Sequence, residues 1–290
     1  MELTNEQRLP EFLVKAVEYW DRSYDSQADY SVTQLLDTPR RVALMRQHKD
    51  ELVEDVSDRI YSLLGSSVHK VVESALIEDG GDNLIVEHRA FAELGGVRIS
   101  GQCDVYDKST ATIYDLKTAS VFEIINGVRE EREQQLNAYA WLGRREGWQV
   151  DAIAAVFILR DWSKGKAAIE KDWPDSQVVV YPLPLWSDDD AERFLAERIR
   201  AHQGALTELP YCSPAEQWRR PDRYAVMSRG RKRAHRLLET HSKAHSWMTQ
   251  WNKGDHIEER PGKAVRCEGY CSVNVHCSQY AALQMVTNKS

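Results

Sequence analysis

Val97-Arg98-Ile99-Ser100-Gly101-Gln102-Cys103-Asp104-Val105-Tyr106 and Ala111-Thr112-Ile113-Tyr114-Asp115-Leu116-Lys117 are two β-rich runs separated by the turn-forming Asp107-Lys108-Ser109. A connection this short predicts an antiparallel hairpin. Side chains at i and i+2 of a strand share a face, so Asp115 and Lys117 point the same way and Leu116 points into the core. If the register brings Asp104 beside Asp115, two carboxylates and an amine converge. Close carboxylates repel unless a proton or a cation sits between them, and oxygen ligands of this kind suit Mg²⁺ or Mn²⁺. Such an ion generates a nucleophilic hydroxide and stabilises a phosphoryl oxyanion. Lys117 adds a point charge near the same phosphate or holds the attacking water. The group suits phosphodiester hydrolysis, although an Asp-x-Lys in a strand is common and Asp104 alone reads as a surface aspartate.

Working outward, Glu6 to Trp20 reads as a helix followed by a polar connection, and Ser31 as the N-cap of a helix through Leu36. Leu52 to Leu76 reads as helix interrupted near Gly65, with Val68, Val71, Val72 and Ala75 at helical spacing. Leu84 to His88 is a strand, and Gly95-Gly96 turns the chain into the hairpin. A helix from Glu130 to Arg145, strands Ala152 to Leu159 and Val178 to Leu183, and a helix from Asp188 to Gly204 follow; the last has acidic residues in its first turn, as the helix dipole favours. This order predicts an α/β layered domain, a central mixed sheet flanked by helices. The expected division is an N-terminal helix over 1–30, a core over 31–206, and a basic, cysteine-bearing extension over 207–290 packed on that core. Trp, Tyr and Cys are too frequent in the extension for a disordered tail.

Two further pairs bear on the chemistry. His69 and Glu73 lie four apart on a helix and share a face, so a neutral imidazole could join the metal; a surface His–Glu pair is the plainer alternative. Gln135 and Tyr139 are again four apart, on the helix after the hairpin, and taken alone read as a half-buried helix face. In this order, His69 with Glu73, Gly101-x-x-Asp104, Asp115-x-Lys117 and Gln135-x-x-x-Tyr139 resemble the RecB-type branch of the PD-(D/E)xK nuclease superfamily, which includes Cas4-like proteins and related phage exonucleases. The resemblance covers roughly residues 31 to 206. It implies a restriction-endonuclease-like core in which His69, Asp104, Asp115 and the Leu116 carbonyl hold Mg²⁺ or Mn²⁺. It implies Lys117 as the catalytic lysine. Gln135 and Tyr139 would line the cleft and contact the DNA backbone or orient the lysine, and Glu73 would support His69 or the metal water. Glu87, on the first strand, is left as a lesser participant.

Cys267, Cys271 and Cys277 lie within a short span, and three such thiols in a reducing compartment suggest a metal site more than a disulfide. Cys212 is the first candidate for a fourth ligand and His276 the second. The trio resembles the iron–sulfur group of Cas4-like and AddB-like nucleases, with two departures. Its first gap is one residue longer than usual, and the family's early Cys-Pro-Arg is matched by Thr38-Pro39-Arg40, which has no thiol. Either Cys212 replaces that ligand, or the cluster is lost, or the metal is zinc; thiolate sites fit both [4Fe–4S] and Zn²⁺. Cys103 reads as a small buried apolar residue.

The 290 residues carry a net charge of −7, which looks unfavourable for a nucleic-acid partner. The charge is unevenly spread: residues 1 to 210 sum to −14 and residues 211 to 290 to +7. Arg219, Arg220, Arg231, Lys232 and Arg233, interleaved with Trp218 and Tyr224, suit phosphate neutralisation and base stacking on single-stranded nucleic acid. No apolar run reaches the roughly 18 residues of a spanning helix, the N-terminus lacks a secretory pattern, and five cysteines do not make a disulfide scaffold. The expectation is a cytoplasmic Mg²⁺- or Mn²⁺-dependent exodeoxyribonuclease acting on single-stranded DNA or duplex ends in recombination, repair or phage genome processing, with a recombination or replication protein as a further partner. The rivals are a non-catalytic DNA-binding or recombination-assembly protein on the same fold, and an iron–sulfur or zinc protein whose function is its cysteine site.

Overall fold

The computed structural model describes residues 2–21, 27–79 and 81–287. Numbered along the chain, its elements are β1 (Glu2–Thr4), α1 (Glu11–Asp21), β2 (Tyr30–Ser31), α2 (Val32–Leu36), α3 (Pro39–Gln47), β3 (Val53–Asp55), α4 (Val56–Asp79), β4 (Leu84–Leu94), β5 (Val97–Asp107), β6 (Thr112–Ala119), α5 (Phe122–Ile125), α6 (Glu130–Arg145), β7 (Ala152–Leu159), α7 (Lys164–Ala167), β8 (Val178–Leu183) and α8 (Asp188–Thr207). The remainder forms β9 (Arg223–Met227), β10 (Arg236–Leu238), α9 (His241–Trp251), β11 (His256–Arg260), α10 (Val265–Gly269) and α11 (Ser278–Thr287), with 3₁₀ turns at Lys49–Glu51 and Asn274–His276. Two compact units result, one of residues 1–39 and 53–207, the other of 40–52 and 208–290.

The first unit is a mixed α/β layer structure. Its sheet runs β2-β5-β6-β7-β8, and β4 pairs with β5 as well. The β4–β5 and β5–β6 pairs are antiparallel, as the short turns require. The β6–β7 pair is parallel, from Thr112↔Ala152 to Ala119↔Leu159, so the chain must cross over between them, and α6 lies in that crossover. Residues Leu136 to Gly143 of α6 are all buried, and Trp141, Phe157, Ile99 and Ile113 fill the core. Ser31 closes a capping box with Gln34 at the start of α2, the arrangement its side chain favours.

Helix α6 and strands β7 and β8 have the bounds expected from the sequence. Others differ for physical reasons. Helix α1 begins at Glu11 rather than Glu6, because Asn5 holds the Leu9 amide in a turn ahead of Pro10. The polar connection expected after it falls mainly on 22–26, outside the described residues. Residues 53–55 form a strand with β1, so α4 starts late, and it then runs unbroken through Gly65. A helical glycine costs only about 1 kcal/mol, and a Cβ at Gly65 would stand 3.3 Å from Thr118 Oγ1. Leu116 does not face the deep core. Asp115 is on the buried face of β6 beneath α6, whereas Leu116 is half-buried and lines the cleft on the α4 side.

The second unit departs from the expected division, since residues 40–52 belong with 208–290. The link is non-local and has no sequence periodicity. Buried Leu44 and Leu52 pack with Val273. Buried Arg40 donates to the carbonyls of Leu209 and Pro210 and to Ser278 Oγ. The unit also holds a three-stranded antiparallel sheet, β10-β9-β11, centred on buried Ala225 and Val226. Among the described residues no helix is long and apolar enough to cross a membrane.

Gly101 of β5 lies close beneath α6. A Cβ there would lie 2.7 Å from Leu142 Cδ1 and 2.9 Å from the Tyr139 ring. Gly101→Ala is expected to destabilise the protein by about 1–3 kcal/mol through overpacking, read as a lower denaturant midpoint. An unchanged midpoint would mean that the Tyr139 ring is not held against this strand.

Candidate functional site

The β5–β6 ladder pairs Val105 with Tyr114 and goes no further along β5. Asp104 and Asp115 are the next residues. In place of a ladder bond, Asp104 Oδ2 accepts the Leu116 amide at 2.6 Å, so the strands separate and a carboxylate fills the gap. On the other side, β4 and β5 keep one register from Val86↔Val105 to His88↔Cys103, and the Glu87 pairing is skipped. Glu87 has a φ of 47°, a conformation costing an L residue on the order of 1–3 kcal/mol. It stands across from Asp104.

Like charges opposite one another on a sheet are unfavourable, and His69 of α4 meets both. Its Nδ1 is 3.3 Å from Glu87 Oε1 and 3.4 Å from Asp104 Oδ1. Its Nε2 is 2.9 Å from the Leu116 carbonyl oxygen. Ionised carboxylates and carbonyls only accept hydrogen bonds, so both ring nitrogens carry protons and His69 is an imidazolium. Hydrogen bonds to Asp104 and Glu87 accordingly raise its pKa from 6.5 to about 10, against the opposing effect of burial. Ligand atoms of His69, Glu87 and Asp104 all lie within 4.8 Å of one another, close enough to share one metal ion.

Asp115 is 1% exposed, and Lys117 Nζ is 2.7 and 2.6 Å from its two carboxylate oxygens. Burial pushes the Asp115 carboxyl up; Lys117 pulls it back, and Asp104 pushes it further up. Gln135 Nε2 donates to Tyr139 Oη at 2.7 Å. Tyr139 is buried, its phenol raised mainly by that burial. It sits behind the carboxylates against Gly101 and does not line the cleft, unlike the expected DNA contact. Glu73 lines the cleft but accepts Lys70 Nζ at 2.8 Å and leaves His69 to Glu87 and Asp104. Glu87 is therefore more central than its sequence suggested. Gln102, inside the Gly101–Asp104 run, donates to Glu87 Oε2 at 2.6 Å. No local pattern marks Glu87, because its aim comes from a backbone departure inside a regular strand.

His69, Glu73, Glu87, Gln102, Leu116 and Lys117 line an open cleft of about 780 Å³ that also reaches Tyr19, Tyr61 and Lys70, and Asp104 borders an adjoining pocket with His69, Glu87 and Leu116. Tyr19 and Tyr61 are exposed, and the Arg160 guanidinium stacks 4.9 Å from the Tyr61 ring centre. The cleft thus brings a carboxylate–imidazole group that could hold a metal ion near two exposed tyrosines and Lys70.

In the second unit, Cys212, Cys267, Cys271 and Cys277 line one small cavity with Arg40. All four thiols are free. Side-chain amides fix their loops: Gln217 and Gln279 donate to the Cys212 carbonyl, and Asn274 to that of Cys267. Arg40 Nε is 3.2 Å from Cys277 Sγ. Burial pushes the Cys212 thiol up to about 12 and raises Cys267 as well. The basic residues do not form one stretch. Arg231, Lys232 and Arg233 are exposed in the β9–β10 turn, whereas Arg219 and Arg220 precede β9 and border a separate pocket with Asp222 and Glu239. A five-residue strand separates the two groups by roughly 15 Å.

No family model matches the chain, and no curated protein matches it. Among solved structures, SSO0001 aligns over 65% of this chain and 83% of its own, at 21% identity and a TM-score of 0.45. A phage related exonuclease from Haemophilus somnus 129PT aligns over 72% and 89%, at 14% identity and a TM-score of 0.29. Likeness at these scores carries no weight for function.

A metal bound by His69 must displace its proton. In the metal-free protein the raised pKa means that the His69–carboxylate pairing is fully present below pH 6.5 and is lost as pH rises through about 10. Mn²⁺ binding at pH 7.5 is expected to release roughly one proton, read by calorimetry in buffers of different ionisation heat. Binding without proton release would remove His69 from the ligand set.

Proposed function

We propose that the chain is a Mg²⁺- or Mn²⁺-dependent deoxyribonuclease of the RecB type, working as an exonuclease. The observation that carries this reading is the convergence of His69, Glu87 and Asp104 on one point, with His69, Glu87 and Lys117 lining an open cleft. The donor set of two carboxylates and an imidazole fits a small divalent cation. When bound, the ion supplies Lewis acidity toward a phosphoryl oxygen and lowers the pKa of water.

The chain's own groups do the rest. His69, Asp104 and Glu87 would hold the cation, while the Leu116 carbonyl stays on the other ring nitrogen of His69. Lys117, drawn from Asp115 by an incoming phosphate, places positive charge on the developing oxyanion. Asp115, freed from that pairing, becomes available as a further oxygen ligand. Gln135 and Tyr139 act as supports that fix the packing behind the two aspartates. Arg231, Lys232 and Arg233 provide phosphate contacts on an exposed turn.

We assign an iron–sulfur cluster to the four thiols, in a reducing compartment such as the cytoplasm. Among the described residues, no three of the sulfurs lie within 4.8 Å of one another. The reading rests on the four thiols lining one cavity, and zinc in the same thiolate set is the alternative.

The deciding experiment is a time course on end-labelled single- and double-stranded DNA with and without Mn²⁺ or Mg²⁺. Lys117→Ala is expected to lower the rate by roughly 10²- to 10³-fold, and Asp115→Ala at least as much. Cleavage that persists in both variants would refute the site; metal-independent binding without cleavage would favour a non-catalytic DNA-binding protein. Replacing Arg231, Lys232 and Arg233 with Gln should flatten the salt dependence of DNA affinity by about one unit of slope for each phosphate no longer neutralised. An unchanged slope would place the DNA elsewhere.

A further inference from the structure

A second set of metal-ligating side chains lies in the unit of residues 40–52 and 208–290, apart from the carboxylate centre and from the thiol cavity. His48 follows α3, Glu51 ends the Lys49–Glu51 turn, and His276 ends the Asn274–His276 turn. Their ligand atoms all fall within 4.8 Å of one another. Glu51 turns one oxygen to each ring: Oε1 is 2.9 Å from His48 Nδ1, and Oε2 is 4.0 Å from His276 Nδ1. The two imidazoles stack with centres 3.9 Å apart and planes 11° from parallel.

We propose that His48, Glu51 and His276 form a transition-metal site that takes Zn²⁺ or a similar borderline ion, independent of the nuclease reading. Two imidazoles and one carboxylate suit Zn²⁺, Ni²⁺ or Cu²⁺ and are a poor match for Mg²⁺ or Ca²⁺, which prefer all-oxygen shells. Three protein ligands leave a fourth position for water, a pattern common to zinc sites with two His and one Glu. The turns carrying the ligands are already fixed. Leu44 and Leu52 flank the first and Val273 precedes the second, and these three form one buried apolar cluster, so no large ordering cost attends binding. The His48 and His276 side chains are 28% and 20% exposed. That leaves room for each ring to rotate about Cβ–Cγ and bring both Nδ1 lone pairs onto one point. Bound this way, the ion joins residues 48–51 to 274–276 beside Cys277 and so stiffens one wall of the thiol cavity.

The test uses the full chain with ¹⁵N-labelled histidine, titrated with Zn²⁺ and, as a control, Mg²⁺. The thiols also bind Zn²⁺, so the readout is the ring-nitrogen resonances of His48 and His276, assigned with His48→Gln and His276→Gln. Both are expected to move together with Zn²⁺ and not with Mg²⁺. Glu51 is 61% exposed, so Glu51→Gln leaves the fold intact; it should weaken the event by more than about tenfold, the scale on which even outer-shell partners matter. If His48 and His276 stay unmoved while zinc saturates the thiols, or if Glu51→Gln titrates like the parent, the proposal is wrong.

Discussion

Two carboxylates held across a β-ladder repel, and at Glu87 and Asp104 that repulsion is met by a cation, the protonated ring of His69. Much of the first unit can be traced to this meeting. Asp104 is free to face it because β5 and β6 part at that residue, and the Leu116 amide, lacking a ladder partner, is satisfied by the other oxygen of the same carboxylate. Glu87 reaches it through a left-handed backbone angle in a strand whose register is otherwise uniform. His69 reaches it because α4 passes over the sheet unbroken at Gly65. A backbone departure that costs free energy and gathers like charges is poorly explained by stability alone; its result is that three groups able to hold a metal ion meet at one point.

The same electrostatics separates the roles of the two aspartates. Asp104 is oriented by a backbone amide and half-committed to the cleft. Asp115 is deeply buried and held by Lys117 from both oxygens. Removing either partner of a buried pair leaves an uncompensated charge, so any group that drew Lys117 away would make a cation at Asp115 more favourable.

The hairpin, the crossover helix and the two strands after it were legible from the sequence, because turn chemistry and a regular period of two or 3.6 are local signals. That His69 meets Asp104 and Lys117 meets Asp115 was legible for the same reason: each sits on an element whose facing residues the pattern defines. Glu87 was not, because one positive φ decides its aim. Helical spacing shows that Glu73 can meet His69, while Lys70 and the two strands decide that Glu87 and Asp104 do. Tyr139 was misplaced because its burial depends on the absent Cβ of Gly101, which a helix-face argument cannot see. The β-alternation rule likewise put Leu116 on the core side, although α6 rather than α4 covers the more buried face of β6.

The second unit was the least legible, and the reason is the long sequence separation of the residues that hold it together. Arg40, Leu44 and Leu52 join residues from 209 to 278 through packing and hydrogen bonds that leave no periodic trace. Composition nevertheless carried information there. The net charge of −7 conceals −14 in residues 1 to 210 and +7 in residues 211 to 290. Part of the acidic excess is gathered at Glu87, Asp104 and Asp115, and three of the basic residues stand together on an exposed turn. A chain uniformly near neutrality could offer neither feature as strongly.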